Sequence, residues 1–75
     1  MRDQLIKALL AHAAGEIEIH KANVEVYFAN PAGIGEHSDI MEAVQGELDK
    51  IALHEERLAI LRNWPQEKEN EQETS

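Results

Sequence analysis

The sequence has no cysteine. That absence excludes disulfides, thiolate zinc sites and a cysteine nucleophile, and it is compatible with a reducing compartment. Aromatic residues are nearly absent too, with one Phe, one Trp and one Tyr. The chain therefore lacks the bulky anchors that dominate most cores. Proline occurs only at positions 31 and 65, and the first 29 residues hold a single glycine. Nothing in that stretch breaks a long helix. No apolar run approaches the ~18 residues that a bilayer span requires. Met1-Arg2-Asp3-Gln4 leads into an amphipathic pattern rather than a signal-peptide apolar stretch.

Basic charge is scarce as well: 7 Lys and Arg stand against 15 Asp and Glu, for a net charge of −8. Such a chain is repelled by polyanions, so neither nucleic acid nor an anionic membrane is an expected partner. A basic or neutral protein surface fits better. With 75 residues the chain is one domain at most. A core that small supplies little stability by itself, and small proteins usually add a disulfide, a metal or a second chain.

What the sequence does contain is helical periodicity. Ile6, Leu10, Ala13, Ile17, His20, Val24 and Tyr27 alternate spacings of four and three, which places all seven on one stripe of a helix over residues 3–29. Asp3 is a plausible cap or first-turn acid. A second stripe, Ala8, Ala11, Gly15, Ile19, Ala22, Val26 and Ala29, runs near the opposite side. A surface helix normally carries one apolar face. Two faces predict a sandwiched helix, with the chain's own second helix on one side and another chain on the other. The competing reading is that alanine simply favours helix on an exposed face; Ile19 and Val26 argue against it.

Residues 30–37, Asn-Pro-Ala-Gly-Ile-Gly-Glu-His, break the pattern and form the expected reversal. Ile34 is the one large apolar residue there and is expected to plug the end of the core. A second helix is expected over 38–63, capped by Ser38 or Asp39, with Glu42 completing a capping box. Its apolar stripe reads Met41, Val44, Leu48, Ile51, Leu58 and Leu61, with Ile40 beside it and Glu55 interrupting it. Trp64-Pro65 ends the helix, and Trp64 is expected to fold back near Leu5 and Leu9. Residues 65–75 have no large apolar side chain and read as a disordered acidic tail.

The expected fold is therefore all-α: an antiparallel two-helix hairpin over 1–64. Its uncovered flanks (Leu9, Ile19, Val26, Leu53, Ile60) call for a homodimer forming a four-helix bundle. Dimer and tetramer are both open. The expected oligomer interface is Ala8, Ala11, Gly15, Ile19, Ala22 and Val26.

Chemistry-bearing residues are few. His20 sits in the main stripe of the first helix with Glu16 one turn earlier, a spacing at which two side chains can share a metal or a hydrogen bond. The Glu-x-x-His repeat of di-iron bundles is missing, because Ile17 and Ile51 occupy the positions three before His20 and His54. His12, Glu16, His54 and Glu55 fall at similar heights in a folded hairpin. They read as a polar layer that sets pairing register, as a solvated edge, or as a metal site built from Glu16, His20 and His54. Asn23 flanks the same seam and can bond to the loop backbone or to the partner helix. Gly35-Glu36-His37-Ser38-Asp39 has the residue types of an acid–base site, but also those of a loop and helix cap. A nucleophile needs a base, an orienter and an oxyanion site together, so no enzyme and no cofactor are expected. Gly33 and Gly35 make no phosphate cradle, since no Lys follows them.

The stretches His20-Lys21-Ala22-Asn23-Val24-Glu25-Val26-Tyr27 and Asn30-Pro31-Ala32-Gly33-Ile34-Gly35-Glu36-His37-Ser38-Asp39-Ile40 resemble a group of short uncharacterised helical proteins of marine tailed phages and ocean metagenomes. The resemblance covers residues 4–62. It implies a phage-type origin and a small accessory protein acting in the host cytoplasm, and it carries over no catalytic residue. The function expected is a non-enzymatic interaction module, an adaptor or inhibitor, with Ile34, Glu36 and His37 as partner contacts. The alternatives are a structural subunit of a larger particle and a small metal-binding bundle.

Overall fold

The structure, a computed structural model, describes residues 1–29 and 37–65. Two helices make up the described fold: α1, Arg2–Ala29, and α2, His37–Arg62. Helix α1 runs uninterrupted because its one glycine, Gly15, has no positive φ and its remaining residues tolerate helix. Helix α2 begins at His37, earlier than the expected 38–63 span, so Asp39 lies in its first turn rather than at its cap. An acid there still faces the positive end of the helix dipole.

The helices pack against each other in antiparallel fashion. Arg2 at the start of α1 donates to the carbonyl of Pro65, 2.8 Å away, just beyond α2. Farther along, His20 of α1 meets Glu47 of α2. Helix α2 closes where expected: the Trp64 amide donates to the Leu61 carbonyl, and the Asn63 side chain to that of Ala59. Trp64 shares an apolar groove with Leu5, Leu9 and Leu61, and half of its surface remains exposed.

The α1 seam is the one the periodicity predicts. Ala13, Ile17 and Val24 are buried, and Ile6, Leu10, His20 and Tyr27 are half-buried. Ala13, Ile17 and Leu58 form the core cluster, with Leu10 and Ile51 packed on it. The α2 seam differs from the expected stripe. The inward row is Ile40, Val44, Glu47, Ile51, His54, Leu58 and Leu61, again spaced by fours and threes. Met41 and Leu48 are exposed, at 63% and 48%. The row of largest residues is thus not the row that faces α1; Ile40 and Glu47 take the places assigned to Met41 and Leu48, and His54 takes that of Glu55. Glu55, expected to interrupt the stripe, is exposed and lies off the seam.

Gly46 offers a clean test of local helix energetics. It lies inside α2, it has no positive φ, and a Cβ added there would meet nothing within 4 Å. Gly46→Ala is expected to raise the unfolding free energy by about 0.5–1 kcal/mol, since glycine loses more backbone freedom on folding. Urea denaturation followed by helical circular dichroism reads this directly, and an unchanged midpoint would contradict it.

Candidate functional site

Halfway along the hairpin the seam turns polar. Helix α1 contributes Glu16, His20 and Asn23, and α2 contributes Glu47 and His54. The i, i+4 spacing stacks Glu16 beneath His20 on one face, and their Oε1 and Nε2 atoms lie 3.2 Å apart. Across the seam, His20 Nδ1 is 2.6 Å from Glu47 Oε1, and the Asn23 amide donates to the same oxygen at 3.1 Å. His54 Nε2 lies 3.8 Å from Glu16 Oε1, beyond hydrogen-bond reach. The His20 and His54 rings are close to parallel, with centroids 6.2 Å apart.

Protonation follows from these partners. The hydrogen bond from His20, then that from Asn23, holds the Glu47 carboxyl below its ordinary value of 4.5. Glu47 is therefore a carboxylate and can only accept. The proton of the short contact belongs to His20 Nδ1. The Nε2 atom of the same ring then faces Glu16 Oε1, which is also an acceptor when ionised. A neutral ring would set two lone pairs against each other at 3.2 Å. A proton shared at this contact, on the ring or on the carboxyl, or a bound cation relieves that repulsion.

His54 presents a different difficulty. Among the described residues it is the one polar residue in the buried set, at 7% exposure. Its Nδ1 has no hydrogen-bond partner. A buried donor or acceptor left unsatisfied costs about 1–3 kcal/mol. Its neighbours are the rings of His20 and of the exposed His12, the latter edge-on with centroids 6.0 Å apart.

Glu16, His20 and His54, named from the sequence as metal candidates, are brought together, each offering one ligand atom within 4.8 Å of the others. Asn23 bonds across the seam to Glu47 of α2, one of its two expected roles. The expected four-membered layer needs correction: His12 touches it only by ring contact, and Glu55 is exposed outside it. Sequence reasoning missed Glu47, although position 47 falls on the four–three row of α2. The expected interface residues Ala8, Ala11, Gly15, Ile19, Ala22 and Val26 all lie exposed along the outer side of α1. Of the expected partner contacts, Ile34 and Glu36 lie outside the described residues, as does the side chain of His37. The plugging role of Ile34 and the acidic tail beyond Pro65 lie outside them too.

No helix among the described residues is long and apolar enough to cross a membrane. Compared with protein-family models, with curated proteins and with solved structures, the chain matches none of them.

Proposed function

We propose that this protein is a small non-enzymatic interaction module that works as a self-associated helical hairpin, a phage-type accessory adaptor or inhibitor of the cytoplasm. One observation carries the reading. The outer stripe of α1, opposite the seam, leaves Ile19 and Val26 exposed at 53% and 64%, flanked by small residues that let another helix approach closely. Leu9 and Ile60 line a groove on the flank of the same hairpin, and Leu53 is exposed as well. Large apolar side chains left exposed on a helix face that its own partner does not cover support an interaction surface. A second copy supplies a matching stripe, and a two-fold pair of hairpins closes into a four-helix bundle. Three grooves of the described residues have mainly apolar linings, which suits protein contact better than catalysis.

A structural subunit of a larger particle is the second reading. It is favoured by apolar residues exposed at both ends of the hairpin, Leu5 and Trp64 at one, Phe28 and Met41 at the other. Both readings meet one experiment. Sedimentation equilibrium of the full chain, in chelator, is expected to give a closed dimer; open-ended growth with concentration selects the particle subunit. A double variant Ile19→Glu/Val26→Glu is expected to raise the dissociation constant at least a hundredfold, about 2.7 kcal/mol, with helicity kept. A folded wild-type monomer at micromolar concentration would remove both readings.

A further inference from the structure

We infer that Glu16, His20 and His54 form a binding site for a divalent transition-metal ion of the kind that prefers imidazole and carboxylate donors, with Zn2+ as its probe. The site is complete within one hairpin and does not depend on self-association.

Three observations support it. The first is geometric. A tetrahedral ion with bonds of about 2.0–2.2 Å separates its ligand atoms by roughly 3.3–3.6 Å. Glu16 Oε1 stands 3.2 Å from His20 Nε2 and 3.8 Å from His54 Nε2, and all three donors lie within 4.8 Å of one another. The donors sit close to that spacing on two sides, and the third side, from His20 to His54, is no longer than 4.8 Å. The second is the orientation of His20. Its Nδ1–H is held by Glu47 at 2.6 Å, which fixes the tautomer and aims the Nε2 lone pair at Glu16. Metal-binding histidines are held in this way by a carboxylate behind them, which raises the basicity of the ligating nitrogen. The third is His54, which is 7% exposed and gains no hydrogen bond at Nδ1, while its Nε2 is too far from Glu16 for one. Its Nε2, turned toward Glu16 without a hydrogen bond to it, is the atom of this buried ring left to ligate an ion.

The charge arithmetic agrees. Two carboxylates, Glu16 and Glu47, face two imidazoles that bind metal in the neutral form, so a divalent ion brings the layer to neutrality. Imidazole donors favour zinc-like ions over Mg2+ or Ca2+, which take oxygen ligands. Tetrahedral zinc takes a fourth donor. His12, whose ring contacts that of His54, stands on the exposed side of the site.

The test uses the full chain dialysed against chelator and titrated with ZnCl2 at neutral pH, followed by calorimetry, with MgCl2 as control. The expected result is saturation at one Zn2+ per chain, no Mg2+ uptake and a raised melting temperature. Glu47→Ala, which removes the carboxylate behind His20 together with the acceptor of the Asn23 amide, is expected to weaken binding by roughly 10–100-fold. His20→Ala and His54→Ala are expected to weaken it further. Circular dichroism establishes which variants remain helical. Imidazole NMR resonances of the wild type give a readout independent of any variant: those of His20 and His54 shift with Zn2+ and not with Mg2+. Absence of saturable uptake, uptake undiminished in a helical His20→Ala or His54→Ala chain, or unmoved His20 and His54 resonances would overturn the assignment.

Discussion

Ile17→Ala is expected to lower the unfolding free energy by about 2–5 kcal/mol, the range for truncating a buried isoleucine to alanine. Ile17 is 6% exposed and forms the core cluster with Ala13 and Leu58. Beyond that cluster, the buried hydrophobic residues include only Val24 among the described positions. The loss is therefore a large share of the total, since small domains hold only about 5–15 kcal/mol. It acts through two terms: lost transfer of the removed carbons from water, and lost contacts with Leu58 across the seam. Met41→Ala provides the comparison. Met41 falls on the expected apolar stripe of α2 by its helical spacing, yet it is 63% exposed. It should shift stability by no more than about 0.5 kcal/mol, as surface substitutions do. Urea midpoints for the two variants, with equal slopes, decide the matter. Equal sensitivity at positions 17 and 41 would mean that the seam has been drawn along the wrong row.

His54→Leu should act in the opposite direction. Without added metal it is expected to stabilise the hairpin by about 1–3 kcal/mol, because it removes a buried nitrogen that has no partner. Leucine also suits a row that continues to Leu58 and Leu61. Most buried substitutions destabilise, so a gain at this position identifies a residue retained at a cost in stability. Zinc should reverse the order. At a free concentration one hundred times the dissociation constant, binding adds about 2.7 kcal/mol to the wild type and much less to the variant. Thermal melts of both chains, with chelator and with Zn2+, give the four values needed. A variant less stable than the wild type in chelator would mean that His54 already has the support it needs from His12, Glu16 and His20.

The layer also bears on how a small hairpin selects one register. Leucine at both 20 and 47 would bury more apolar surface and could strengthen the pair. It would also remove the hydrogen bonds from His20 and Asn23 that converge on Glu47 Oε1. Those bonds are satisfied together in one alignment of the helices, and a slip along the seam separates them. The same contacts place His20 toward Glu16, so register and donor geometry depend on one carboxylate.

The pattern of residues alone determined the length and inward face of α1, because an unbroken four–three spacing admits one buried stripe whatever packs on it. It also determined the end of α2 at Trp64-Pro65, where proline removes a backbone donor, and the pairing of Glu16 with His20, which is a local consequence of helical rise. It did not determine the face of α2. Two neighbouring rows share Val44, Ile51, Leu58 and Leu61, and they differ by Met41 and Leu48 against Ile40, Glu47 and His54. Hydrophobicity favours the first row, yet the second faces α1. Only the folded pair of helices shows that Glu47 has His20 and Asn23 opposite it, and a carboxylate partly withdrawn from water is tolerable when such partners are in place. That match depends on how the two helices align across the reversal, a long-range property that neither helix carries in its own periodicity.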